Sequence, residues 1–162
     1  MLDLSLMQEL SGEEKKWLAA AVVGAAVADH ELVNTEVRYV QEILDHLDVD
    51  NKKAHMLELM EQKKLPLLPK IDIKRPLAAK VFIYLAQLTV VDNQLSPSEV
   101  KFLKNIGQNL GFAADQIREV VSWVHQIVSV TKKEADLLVS LSKENDSGMT
   151  RFSMKDNTET PL

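Results

Sequence analysis

One stretch of this chain occurs twice, and the duplication constrains the fold more than any other feature. Residues 28–40 lie over residues 91–103 with Asp29 on Asp92, Leu32 on Leu95, Glu36 on Glu99 and Val37 on Val100 identical, and the register continues through Ile43 on Ile106 and Leu47 on Leu110. Arg38 over Lys101 and Tyr39 over Phe102 keep chemical type while changing residue, the residue pattern left by duplication and drift. Upstream of each copy, residues 17–27 and 77–90 are apolar nearly all round, which predicts two helices in the middle of a bundle.

The rest of the composition agrees with helices. Aromatic residues make up 5% of the 162, with five glycines and five prolines against abundant Ala, Leu, Val, Lys and Glu. That balance favours an all-α fold over a sheet sandwich, and the length suffices for one core that buries about 70% of the unfolded surface. Ser11 with Glu14, Ser96 with Glu99 and Thr131 with Glu134 each fit the capping box, where hydroxyl and carboxylate satisfy each other's backbone N–H groups. Pro97 at a first helical position strengthens the second box. The spacing predicts seven helices, near 12–28, 34–47, 51–62, 75–91, 97–109, 114–129 and 132–143. Val37, Val40, Ile43, Leu44 and Leu47 form one core stripe, and Ile117, Val120, Val121, Val124 and Val128 another. Trp17, Trp123, Phe82 and Phe102 read as packing residues. Pro66 and Pro69 keep residues 65–69 extended between the two halves. The expected organisation is one helical domain over 1–143, with repeat halves at about 12–62 and 75–129, and a mobile polar tail over 144–162.

Several function classes drop out early. Without a cysteine there is no disulfide framework, thiol nucleophile or thiolate-held metal. The net charge of −5 argues against a general nucleic-acid binder. No apolar run is long enough to span a bilayer and no basic segment precedes an apolar one at the start, so membrane insertion is not expected and the cytoplasm is the default location. The glycines form neither a phosphate loop nor a nucleophile elbow, and an enzyme is not expected. His46, His55 and His125 show no metal-ligand spacing.

Candidate chemistry sits in the repeats. Each places an Asp at the end of an apolar helix and a Glu seven residues on, in the first turn of the next helix, so Asp29 with Glu36 and Asp92 with Glu99 return two carboxylates to one short loop. The second loop resembles the latter part of a calcium-binding EF-hand loop, but Leu88 and Val90 stand where the first and third ligands belong, which excludes an independent twelve-residue site. Capping is the competing explanation: Glu99 belongs to a capping box, and an Asp at such a junction bonds nearby amides. Val33 replaces Ser96 in the first copy while Glu36 remains, so capping accounts for Glu36 less well unless Asn34 or Thr35 shifts the helix start.

The twofold pattern of apolar helix, Ala/Val-Asp, turn, Leu, polar residues and Glu-Val resembles the TerB-like family of tellurite-resistance proteins over roughly residues 12–143. The resemblance implies a bundle built from two pseudo-twofold-related halves. It also implies a non-enzymatic role linked to oxyanion or general stress resistance, and a divalent metal held by Asp29, Glu36, Asp92 and Glu99. Oxygen ligands suit calcium or another hard divalent cation better than zinc or copper. Family members usually carry Gly after the Asp, in a left-handed conformation; His30 and Asn93 stand there in this chain, both residue types that tolerate it. His30 reads as a turn residue ahead of a ligand.

A metal-independent interaction module, co-chaperone-like or scaffolding, is the alternative, with an unidentified protein as its partner. Residues 1–51 carry eleven acidic and three basic side chains, whereas residues 52–80 carry eight basic and three acidic ones, including Lys52, Lys53, Lys63, Lys64, Lys70, Lys74 and Arg75. Such a stretch attracts an acidic partner or simply solvates a helix face and linker.

Overall fold

The structure, a computed structural model, describes residues 4–28, 34–47 (side chains from Val37 onward) and 52–144. Among these residues the chain is all-helical and contains no strand. The helices are α1 (Leu4–Glu9), α2 (Gly12–Ala28), α3 (Asn34–Leu47), α4 (Lys53–Glu61), α5 (Arg75–Leu88), α6 (Pro97–Asn109) and α7 (Ala114–Ser142). Two compact units divide the chain, Met1–Val128 and Ser129–Leu162.

Within the first unit α2 is the central element. Trp17 to Gly24 are all buried, and the helix packs against α3, α4, α5 and α6, as a segment with no polar face must. Helix α5 carries the second such segment and buries Ala78, Val81, Phe82, Tyr84, Leu85 and Ala86. The amphipathic helices surround them. Helix α3 turns Val40, Ile43, Leu44 and Leu47 inward, α6 turns Phe102, Leu103 and Ile106 inward, and the first half of α7 buries Ile117, Val121 and Val124.

Both serine capping boxes form. Ser11 N–H donates to Glu14 Oε1 at 2.8 Å and Glu14 N–H to Ser11 Oγ at 3.2 Å; the same pair of bonds joins Ser96 and Glu99. The threonine box does not start a helix. Thr131 lies inside α7, which runs unbroken through the position where two helices were expected, because no Gly or Pro interrupts its backbone ladder between Ala114 and Ser142. Helix α5 also ends earlier than its apolar run, at Leu88, where Thr89 Oγ1 donates to the Ala86 carbonyl at 2.7 Å and turns follow. An unanticipated short helix, α1, precedes the first box and buries Leu6 and Met7.

The connection from Lys64 to Lys74 is non-helical and is tied down at its middle. Trp17 Nε1 donates to the Pro69 carbonyl at 2.8 Å, Asn109 Nδ2 to the Leu68 carbonyl at 3.0 Å and Ile71 N–H to the Asn109 carbonyl at 3.1 Å. Arg75 continues the clasp, with its guanidinium 4.9 Å from the centre of the Phe112 ring, which stacks on Phe82.

The second unit is described over 129–144, the end of α7 and two residues beyond it. This segment exposes Val130, Leu137, Leu138, Val139 and Leu141. From residue 145 onward the expected tail lies outside the described residues.

Candidate functional site

The loop between α5 and α6 is built from a chain of short-range bonds. Val90 N–H donates to the Gln87 carbonyl at 3.2 Å, Asn93 N–H to the Val90 carbonyl at 2.9 Å, and Gln94 N–H to Asp92 Oδ1 at 3.1 Å. Asn93 takes a φ of +63°, the left-handed conformation expected after the Asp. The chain thereby reverses within a few residues and enters α6 at Ser96, where Glu99 Oε1 accepts from the Ser96 N–H at 2.8 Å.

Asp92 and Glu99 line the same cleft, of about 70 Å³. Its remaining walls come from both copies of the repeat: Val22, Ala25 and Ala26 from the last turns of α2, Tyr39, Val40 and Ile43 from α3, and Leu88, Thr89 and Val91 from the end of α5 and its loop. Glu99 is 3% exposed, a rare degree of burial for a carboxylate side chain, while Asp92 stands open to solvent. Each carboxylate spends one oxygen on a local backbone amide, so the capping and turn-forming roles foreseen for them are realised.

For the first copy the structure gives less. Asp29 lies outside the described residues, as does His30; Glu36 stands in the first turn of α3 with its side chain outside them. Among the described residues no group of three or more His, Cys, Asp and Glu side chains is placed to hold a metal ion. A hard cation takes six to eight oxygens when it is calcium.

Tyr39 is the wall residue that sequence reasoning passed over. Its hydroxyl oxygen and that of Tyr84 are both shut off from solvent. Burial pushes the Tyr39 phenol above its ordinary pKa of 10.0, the Glu42 carboxylate adds to the rise, and the Tyr84 hydroxyl works against it. The signal available was the Tyr39-over-Phe102 pairing, which places a polar atom where the twin has none.

The basic stretch over 52–80 does not form one surface charge. Lys53 pairs with Asp45, Lys80 pairs with Glu9 at 3.0 Å, and Arg75 turns to the Leu110 carbonyl and the Phe112 ring. His46 Nδ1 lies 2.9 Å from the Glu42 carbonyl, an ordinary helix-surface contact. No helix among the described residues is long and apolar enough to cross a membrane. Comparison with protein-family models, with characterised proteins and with solved structures finds no match.

Proposed function

We propose that this chain is a non-enzymatic, TerB-like helical module that binds a divalent cation of the calcium type where its two repeats face each other, in the service of oxyanion or general stress resistance. Asp92 and Glu99 supply two of the carboxylates and Asp29 and Glu36 the other two, in a pseudo-twofold arrangement. One observation supports the reading: the cleft that Asp92 and Glu99 line is also walled by the last turns of α2, which Asp29 follows in sequence, and by the middle of α3, the helix whose first turn contains Glu36. Carboxylates gathered there repel one another, and a hard cation offsets that repulsion.

A chelator-controlled melting experiment tests the reading. Millimolar calcium is expected to raise the melting temperature of the wild-type chain, and Glu36→Gln with Glu99→Gln is expected to abolish the rise. An unchanged response in the double variant removes the proposed ligands, and no response in the wild type removes the cation.

The second reading is a metal-independent interaction module. It is favoured by the complete Ser96–Glu99 box, which gives Glu99 a structural task of its own, and by the exposed apolar side chains near the end of α7. Partner capture that survives chelation and the double variant supports it.

A further inference from the structure

Each compact unit of the chain leaves an apolar surface exposed. In the second unit, Val130, Leu137, Leu138 and Leu141 recur on α7 at i, i+7, i+8 and i+11, which is one face of a helix, and they are 46–79% exposed. In the first unit, α5, Phe112 and the first half of α7 enclose a groove of about 290 Å³. Ala79 and Ile83 stand exposed along it, while Phe112, Val120 and Trp123 are half-buried, so the groove presents apolar side chains to an occupant. Glu119 is the charged residue of its described lining, and it makes no ion pair among the described residues.

We propose that this groove takes the leucine face of α7 from a second copy of the chain. Leu137, Leu138 and Leu141 have the i, i+3 and i, i+4 spacing by which an amphipathic helix anchors in an apolar groove, and Trp123 is of the residue type that most often anchors such a contact. Charge complementarity favours the same occupant. Lys133 and Glu134 stand side by side one turn before the leucines, and neither makes an ion pair among the described residues. The α7 wall of the groove carries Glu119, one turn before Trp123. The α5 wall carries Lys80 next to Ala79, held only by a solvent-exposed pair with Glu9 at 3.0 Å. A docked segment thus meets a carboxylate for its ammonium on one wall and an ammonium for its carboxylate on the other. Two identical leucine faces paired in register would instead set Glu134 against Glu134, a like-charge contact. Every copy owns both surfaces, so two copies that exchange segments bury the groove and the leucine face of each. No residue of the Asp92–Glu99 cleft takes part, so this inference stands whether or not that cleft binds metal.

The test is the molar mass of the full chain by sedimentation velocity from micromolar to millimolar concentration. A rise from the 18.2 kDa monomer toward twice that mass is expected. Ile83→Glu in the groove, or Leu138→Glu with Leu141→Glu on the helix face, is expected to weaken association about tenfold or more. An equimolar mixture of these two variants is expected to associate at a concentration where neither does so alone, since each supplies the surface the other lacks. Glu119→Lys or Lys133→Glu is expected to weaken association about two- to fivefold, and both together in one chain to recover it, because the pair re-forms between copies with its signs exchanged. All these residues are exposed, and melting curves check that the variants fold. A chain that stays monomeric at millimolar concentration overturns the proposal. Association indifferent to Ile83→Glu overturns it in favour of paired leucine faces, and a mixture that fails to associate or a charge exchange without recovery overturns it as well. Binding to phosphatidylcholine vesicles by a chain that stays monomeric overturns it in favour of a lipid surface.

Discussion

Gly24 and Phe102 compete for one space: a Cβ on Gly24 would come 2.6 Å from Phe102 Cε1 and 2.9 Å from Cζ. The aromatic ring of α6 thus rests directly on the backbone of α2, and the two copies of the repeat pack against each other at that point. Gly24→Ala is expected to destabilise the chain by about 1–3 kcal/mol through overpacking, read as a lower denaturation midpoint at unchanged m-value. Phe102→Leu introduced alongside it should recover part of the loss, because the two sites share one contact. Additive effects in the double variant would show that the contact is not there.

Two helix ends present opposite cases of the same turn. Gly111, at a φ of +85°, closes α6, with Phe112 N–H donating to the Gly107 carbonyl at 2.9 Å and Gly111 N–H to the Gln108 carbonyl at 3.0 Å. Lys63, at a φ of +56°, closes α4 by equivalent bonds to Leu59 and Met60. A side chain in this conformation costs about 1–2 kcal/mol, part of which glycine gives back as chain entropy. Gly111→Ala should therefore lower stability by about 1 kcal/mol and Lys63→Gly should raise it by about 0.5–1 kcal/mol. Equilibrium denaturation of both variants checks the pair of signs.

Capping and ligation at Glu99 separate through its partner. Ser96→Ala removes the hydroxyl that accepts from the Glu99 N–H and should cost about 1 kcal/mol. Glu99 keeps its carboxylate in that variant, so the calcium-induced rise in melting temperature should persist. A variant that loses the cap and the calcium response together would mark the response as a consequence of folding alone.

The Tyr39 phenol carries a pH signature. Its pKa in the folded chain lies above the ordinary 10.0, so the folded state holds the proton more tightly than the unfolded state. The stabilisation is fully present below about pH 10 and is lost as pH rises through the folded value. Tyr39→Phe should flatten the fall in melting temperature between about pH 9 and pH 11, while absorbance of the ionised phenol in the wild type should show a late-titrating component that the variant lacks. An equally steep fall in the variant would assign the effect elsewhere.

Much of the helical frame was legible because its signals are local. The boxes at Ser11 and Ser96, Pro97 at the start of α6 and the uniform apolarity of the α2 segment fix starts and burial from a few neighbouring residues. Thr131 misled for the same reason: a box pattern states what a helix start would look like, and a helix already running through it has no cause to stop. Helix α1 escaped because six residues are too few to show a period, and the burial of Leu6 and Met7 holds it in place. At the site, the return of Asp92 and Glu99 to one loop followed from spacing, whereas their meeting with Tyr39 and Val22 in one cleft depends on tertiary packing. Charge shows the limit most plainly. Lys53 and Lys80, near the two ends of one basic stretch, are separately paired with Asp45 and Glu9, while Lys63 and Lys101, far apart in sequence, line one groove.

The cation account is tested most directly by titrating calcium into isotope-labelled protein and following backbone amide shifts around residues 29–36 and 92–99. Saturable shifts in both segments along one binding curve, absent in Glu36→Gln with Glu99→Gln, are the expected result. Amides that stay fixed at millimolar calcium, or shifts confined to one segment, would contradict a cation shared between the two repeats.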